Sequence, residues 1–303
     1  MEKRDLLVLD SGDLLFKKFS APIPENELKT VSEKARLIIE SLNLMGYDAL
    51  GVGDDDLSMG KDFLLEVSKK ANFPFLSSNI VDEESGKLLF QSYLVKKING
   101  LKIGIFSLLS PDIFLSQSDI RKKGLTVRPP IEVAQNTIKE LQSKTDLIVL
   151  LSHLGYAKDL ELAQTLQGIH IIVGSHTGMN LFNAPVIGDK IVLQTAPKGM
   201  YGGRLDLILH DNKPSFYNTM TKRYLENNLN SVKSRLGSPG IPDAERVQLG
   251  RAEEQIKKAL RQLQGKNEFT NTISPLREDI KEDPNIGKLI ENFKSKFPET
   301  GKP

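Results

Sequence analysis

Gly46-Tyr47-Asp48-Ala49-Leu50-Gly51-Val52-Gly53-Asp54-Asp55-Asp56-Leu57-Ser58-Met59-Gly60 sets a short apolar run, Ala49 to Val52, between a Gly-Tyr-Asp turn and a loop that opens on three aspartates. A run of strand length, bounded by turn residues, predicts a buried strand. Upstream, from about Glu25 to Asn43, Val31, Ala35, Ile38, Ile39 and Leu42 recur at helical spacing, and a second helix is predicted from Asp62 to Ala71. Helix, buried strand, loop and helix in succession are the rhythm of a layered α/β domain.

The rhythm continues outward through about residue 210. Leu6 to Leu9 reads as a strand that ends in Asp10-Ser11-Gly12-Asp13. Lys87 to Val95, Asn99-Gly100 and Leu101 to Leu108 read as an antiparallel hairpin, because Asn-Gly accepts the positive φ angles of a tight turn. A helix is predicted near Ile131 to Gln142, with strands at Leu147 to Leu151, His170 to Val173, Ile191 to Gln194 and Arg204 to Leu209. The sheet is therefore mixed. After about residue 222 the breaker Gly237-Ser238-Pro239-Gly240-Ile241-Pro242 separates two polar helices, the second from Ala244 to Leu263, and few strand signals remain. This divides the chain into a domain at 1–222 and a solvated helical extension with a linker-like tail at 223–303. No internal repeat is visible.

With 303 residues, 39% hydrophobic and 26% charged, the chain is long enough to bury a sizeable core. A net charge of +2, with no Lys/Arg stripe interleaved with aromatics, argues against a nucleic-acid partner. No apolar run approaches the roughly 18 residues that cross a bilayer, so no membrane span is expected, and Met1-Glu2-Lys3-Arg4-Asp5 lacks the apolar core of a signal peptide. There is no cysteine, which excludes disulfides, a Cys nucleophile and thiolate ligands. Any metal must be held by His and carboxylates.

Asp13, Asp54, His153 and His176 each lie in a loop that follows a predicted strand, where side chains of layered α/β folds converge. Two carboxylates and two imidazoles form a set that suits Zn, Mn or Fe. Each residue alone has a plainer reading. Gly12-Asp13 is also a turn whose Asp caps its own backbone, and Asp54-Asp55-Asp56 is also a solvated loop or helix cap. His153, in Leu151-Ser152-His153-Leu154-Gly155, is also a buried histidine bonded to backbone. His176 has small neighbours in Gly174-Ser175-His176-Thr177-Gly178 that allow close approach to a ligand. His170 and His210 fall in predicted strands and read as structural.

Together these loops resemble the ordered motifs of the metallophosphoesterase (calcineurin-like) superfamily, and of its 5'-nucleotidase branch. Gly46 to Gly60 is similar to GYDA, an apolar strand and GNHEFDYG, and Phe73-Pro74-Phe75-Leu76-Ser77-Ser78-Asn79 to FP-x-L-S-A-N. Asp10 to Asp13 resembles D-x-GD, and Leu151 to Gly155 resembles LSH-x-G. Ile172 to Gly178 is similar to IIGGHSH or IIGGHSQ, and Gly203-Arg204-Leu205-Asp206-Leu207 to the closing GRLDL. The resemblance covers about residues 5 to 210. It implies a four-layer α/β/β/α sandwich of two mixed sheets.

It also implies two cations that share a bridging aspartate, bind phosphate oxygens and lower the pKa of a water that attacks phosphorus in line. Carried over, Asp13 is the bridging carboxylate, and Asp54 (Asn in most of the branch), His153 and His176 complete one shell. The D-x-H motif expected a few tens of residues before D-x-GD has no match, and Gly178 stands where a second metal-facing His or Gln is expected. One divalent metal, Zn, Mn or Fe, is therefore expected, with the second site lost. Asp55 takes the catalytic position of the His that stabilises the leaving group, where a carboxylate repels phosphate unless protonated. The branch's base-stacking C-terminal domain has no counterpart, although Pro275-Leu276-Arg277-Glu278-Asp279 and the segment from Glu282-Asp283-Pro284 to Phe293 resemble the linker that leads into it. The expectation is a divergent 5'-nucleotidase-like domain that hydrolyses phosphate esters weakly or through a single-metal site. The alternative is a catalytically inactive module of the same fold that binds or docks within an exported assembly. The implied partners are a phosphorylated small molecule and a partner protein or fused domain, in the periplasm or cell envelope.

Overall fold

The computed structural model describes residues 6–116, 118–210 and 215–298. The opening stretch read for a leader, 1–5, and the end of the linker-like tail, 299–303, lie outside the described residues. The first half of the chain comprises β1 (Leu9–Asp10), α1 (Leu28–Met45), β2 (Ala49–Gly51), α2 (Gly60–Ser68), β3 (Phe75–Leu76), β4 (Ile80–Asp82), β5 (Tyr93–Ile98), β6 (Leu101–Leu109), β7 (Leu125–Val127) and α3 (Pro130–Gln142). The second half comprises β8 (Leu147–His153), α4 (Tyr156–Thr165), β9 (Ile171–Gly174), β10 (Val186–Ile187), β11 (Lys190–Gln194), β12 (Tyr201–Ile208), β13 (Phe216–Asn218), α5 (Thr219–Leu236), α6 (Asp243–Leu263), β14 (Asn267–Pro275) and α7 (Pro284–Lys296).

Strand β8 decides the layering. It sits inside a six-stranded mixed sheet of order β10-β11-β9-β8-β6-β5, and all its residues are buried, as in a strand covered on both faces. Ile148 and Leu150 point into a cluster with Ala134, Ile138 and Leu141 of α3 and Leu162 and Ala163 of α4. Leu147, Val149 and Leu151 point the opposite way, onto Ala49 of β2, Leu76 of β3, Phe216 of β13 and Phe269 of β14. Those four belong to two three-stranded sheets, β1-β2-β3 and β12-β14-β13. Beyond the first of these, Leu50 and Phe75 meet Ala35, Ile39 and Leu42 of α1 and Leu64 and Val67 of α2. The chain thus forms a four-layer α/β/β/α sandwich, but not from two mixed sheets as expected: the six-stranded sheet and β12-β14-β13 are mixed, whereas β1-β2-β3 is a separate, wholly parallel sheet. Each fully buried aliphatic or aromatic side chain contributes roughly 1.5–3 kcal/mol.

Several elements differ from the sequence reading. The Asn99-Gly100 turn has the expected positive φ angles, 50° and 86°, and joins β5 to β6 as an antiparallel hairpin. The strand before it starts at Tyr93 rather than Lys87, because Leu88 bridges to Val81 and the Leu89 N–H donates to the Ile80 carbonyl, which draws this segment onto β4. The first strand is Leu9–Asp10, shorter and later than Leu6 to Leu9. Helix α4 was not anticipated. Residues 223–303, read as helical and solvated, contain β14, which pairs antiparallel with β12 from Ile208 opposite Glu268 to Tyr201 opposite Pro275, and parallel with β13. Phe269 anchors it in the core. Helices α5 and α6 pack on each other, and α7 lies on α1.

Asn79 explains the end of the Phe73-to-Asn79 motif. Its side chain donates to the carbonyls of Leu109 (2.7 Å) and Arg128 (3.0 Å) and accepts from the Leu109 N–H (2.9 Å), fastening the end of β6. Among the described residues no helix is long and apolar enough to cross a membrane.

Candidate metal centre

Strands β1 and β2 run parallel and side by side, so the loops that follow them leave from the same end. The first loop turns at Gly12 (φ 100°) and Asp13 (φ 64°). A Cβ on Gly12 would lie 2.3 Å from the Gly53 nitrogen, and one on Gly53 would lie 2.2 Å from Asp13 Oδ1. Only two glycines allow these backbones to lie against each other. Asp56 then stitches them together. Its carboxylate accepts from the N–H groups of Asp13 (2.9 Å), Leu14 (3.0 Å), Leu15 (3.1 Å) and Gly53 (2.9 Å).

The plainer reading of Asp54-Asp55-Asp56 as a solvated loop is corrected here, because all three are buried. Asp56 is pushed up to about 6, chiefly by burial and then by the negative charge of Asp13, against the pull of its backbone donors. Asp10, which accepts from the Gly12 N–H at 2.9 Å, is pushed up to about 7, chiefly by burial.

His153 ends β8 and His176 follows β9, the next strand of the larger sheet. His153 is fully buried. Its Nδ1 lies 2.8 Å from the Ser11 carbonyl and 2.8 Å from Ser175 Oγ. Its Nε2 lies 3.2 Å from Asp13 Oδ2 and 3.1 Å from Asp54 Oδ1. His176 Nδ1 is 3.6 Å from the same Asp54 oxygen, and its side chain remains 33% exposed, so the cluster opens to solvent on that side. One donor atom from each of Asp13, Asp54, His153 and His176 falls within 4.8 Å of the others. Among the described residues this is the one such group of three or more His, Asp or Glu.

The backbone is strained at two of the four. Asp13 and His176 (φ 71°) occupy the left-handed region, at a cost of order 1–3 kcal/mol each. Burial alone would lower the pKa of His153, but its bonds to Asp13 and Asp54 raise it well above the ordinary value. Burial likewise pushes Asp54 upward. Hydrogen bonds from His153 and His176, with the positive charges of His153 and Arg121, outweigh that and hold it well below the carboxylate range. Without a cation, a proton on His153 neutralises the carboxylates around it. When Nδ1 donates to the Ser11 carbonyl and Nε2 gives up its proton, the Nε2 lone pair faces Asp13 and Asp54, the tautomer a metal requires. The donor set fits one Zn, Mn or Fe ion.

Asp55 lies outside this four-residue group. Its N–H donates to Asp13 Oδ1 at 2.8 Å, and its carboxylate accepts from the Phe19 N–H at 2.8 Å and from Arg121 Nη1 at 3.0 Å. Burial, and then the charge of Asp13, raise its pKa. Gly178 offers no donor, and a Cβ there would meet Pro197 Cδ at 2.9 Å. Sequence reasoning missed Arg121. It lies buried beneath the aspartate run and pairs with Asp54, Asp55 and Asp119. Its local sequence, Ser118-Asp119-Ile120-Arg121-Lys122-Lys123, looks like any charged loop. The surplus of carboxylates at 54–56 was the signal that a cation was needed.

No protein-family model matches the chain. It is 26% identical to the trifunctional nucleotide phosphoesterase protein YfkN of Bacillus subtilis over 239 residues, which is 66% of this chain and 16% of that protein. It is 30% identical to a 5'-nucleotidase of Vibrio cholerae over 186 residues, 57% of this chain and 32% of that one. The crystal structure of the calcineurin-like phosphoesterase YfkN from Bacillus subtilis matches 69% of this chain and 73% of its own, with a TM-score of 0.56 and 25% identity. The chain spans only 16% and 32% of the length of the two curated relatives named here.

Proposed function

The homologues of this chain are 5'-nucleotidases and calcineurin-like phosphoesterases, and from that relationship we propose that it is a divergent phosphoric-ester hydrolase that works through a single divalent cation on Asp13, Asp54, His153 and His176. The observation that carries the proposal is the approach of one donor atom from each of these residues to within 4.8 Å of the others. A bound Zn, Mn or Fe supplies Lewis acidity toward a phosphoryl oxygen and lowers the pKa of a bound water.

The chain's own residues do the positioning. Ser11 and Ser175 orient His153 from behind, and Asp56 presents Asp13 through its grip on the backbone. His176, the exposed member, marks the side from which a phosphorylated small molecule enters. Asp55 is held by Arg121 and Phe19 and is not free to donate a proton to a leaving group. Turnover is therefore expected to be low. In this reading the second metal site is lost, residues 1–222 form the phosphoesterase domain, and 223–303 form an extension that returns β14 to its sheet. A phosphorylated small-molecule substrate, a partner protein or fused domain and a place in the periplasm or cell envelope, all drawn from the nucleotidase relatives, complete the proposal.

A second reading, a catalytically silent binding module, draws on the same tie between Asp55 and Arg121 and on the absence of a donor at Gly178. The test is elemental analysis of metal per chain, after purification without chelator and dialysis against Mn and Zn, followed by assay of phosphate release. Asp13→Ala and His176→Ala are measured alongside. About one metal per chain that disappears in both variants, with metal-stimulated release, supports the hydrolase. Bound metal without release supports the silent module, and a metal-free wild-type chain ends the hydrolase proposal.

A further inference from the structure

We propose that Arg121 is a positioning residue of the metal centre: it fixes which oxygen of Asp54 faces the cation, and so allows a charged aspartate to serve at that position. The proposal rests on the single-metal reading above.

The need for a buried cation follows from the carboxylates. Asp56 is satisfied by four backbone N–H groups, and Asp13 by the Asp55 N–H and His153. This leaves Asp54 Oδ2, and an Asp55 carboxylate met otherwise only by the Phe19 N–H at 2.8 Å, buried beside each other. Unpaired charges at such depth are strongly disfavoured. Arg121 Nη1 pairs with both, reaching Asp55 Oδ1 at 3.0 Å.

The guanidinium is itself held in place. Its Nε and Nη2 donate to the two oxygens of Asp119, at 3.1 and 2.7 Å. Asp119 also accepts from the N–H groups of Leu115 (2.9 Å) and Arg121 (3.0 Å). The Arg121 carbon lies 4.4 Å from the ring centre of Phe19 and 5.4 Å from that of Phe114, which keeps water off the planar group. An Arg fork can satisfy Asp119 with two N–H groups and still present a third. A lysine ammonium is a point charge without that geometry.

Asp54 is thereby divided. Its Oδ2 is committed to Arg121, and only Oδ1 turns toward His153 (3.1 Å) and His176 (3.6 Å). The carboxylate cannot rotate to offer both oxygens. An asparagine at 54 would place either its NH₂ against the guanidinium or its oxygen away from the histidines, so Asp54 and Arg121 act as a pair.

The experiment measures Zn affinity by competition with a chromogenic chelator and coordination geometry by the visible absorption of the Co(II)-substituted chain. The full chain is used as wild type, Arg121→Met, Arg121→Lys, Asp54→Asn and Arg121→Met/Asp54→Asn. Arg121→Met and Asp54→Asn are each expected to weaken Zn binding at least tenfold, the scale of lost support behind a ligand. The double variant is expected to bind more tightly than either single one, and Arg121→Lys to fall between wild type and Arg121→Met. Should Arg121→Met not fold, Arg121→Lys and Asp54→Asn, which keep a cation beside Asp55 and Asp119, carry the comparison. Wild-type affinity and Co(II) spectrum in the Arg121 variants, or additive losses in the double variant, overturn the proposal alone. A wild-type chain that takes up no Zn overturns both it and the single-metal reading.

Discussion

Asp159 on α4 is completely buried, its Oδ1 accepts from Ser152 Oγ, and its Oδ2 has no hydrogen-bond partner. Burial pushes its pKa up to about 7, against the opposing pull of the Ser152 hydroxyl and of positive His153. An unfolded aspartate titrates near 3.9. Between those values the folded state binds the proton that the unfolded state has released, so this group's contribution to stability falls as pH rises and is lost as pH passes through about 7. From pH 5 to pH 8 the loss from this single group is roughly 3 kcal/mol, at about 1.4 kcal/mol per pKa unit. Asp159→Asn keeps an oxygen for Ser152 and removes the titration. The assay is urea denaturation of both chains at pH 5 and pH 8 with chelator present, so that metal binding does not enter. Wild type should lose about 3 kcal/mol more than the variant over that interval. Asp10 and Asp56, also raised, are present in both chains and cancel in the difference. Equal pH dependence in the two chains would refute the reasoning.

Asp56→Ala leaves the N–H groups of Asp13, Leu14, Leu15 and Gly53 without their acceptor, and should lower the urea-derived stability by about 3–5 kcal/mol; a loss under about 1 kcal/mol would contradict the stitching role. Gly53→Ala puts a Cβ 2.2 Å from Asp13 Oδ1 and 2.8 Å from His153 Cε1, so Zn uptake should fall at least tenfold, read by chelator competition, and unchanged uptake would show that the two loops need not touch. Truncation after residue 222 removes β14 and leaves β12 and β13 without their shared partner. The shortened chain should aggregate or lose its sharp thermal transition, whereas a cooperative, soluble product would show that 223–303 is dispensable.

Legibility in this chain followed the range of the forces involved. Strand β8 could be read from Leu147 to Leu151 because burial on both faces imposes an unbroken apolar run, which is a local signature. The positions of Asp13, Asp54, His153 and His176 could be read because each follows such a run. Helix α4 escaped notice because its buried positions are Asp159, Leu162 and Ala163, and a buried acid disguises the apolar stripe. Strand β14 escaped for a related reason. Asn267-Glu268-Phe269-Thr270-Asn271-Thr272-Ile273 alternates about polar residues, and its apolar anchor Phe269 meets strands that lie far back in sequence.

The aspartate run shows why charge is harder to place than apolar surface. Three adjacent carboxylates ordinarily face water, because like charges in a low-dielectric interior repel strongly. Here each is buried against its own set of partners, with Arg121 shared by the first two: Asp54 against His153 and Arg121, Asp55 against Arg121 and the Phe19 N–H, and Asp56 against four backbone N–H groups. None of the charged partners is near in sequence, since Arg121 lies 67 residues from Asp54 and His153 lies 99. Burial of such a run therefore requires positive or N–H-rich surroundings of a definite amount, and that requirement is readable from the residues themselves. Where those surroundings come from is set by which loops the parallel strands bring to one end of the sheets. That is a property of the topology, and it is why Arg121 became visible only in the folded chain.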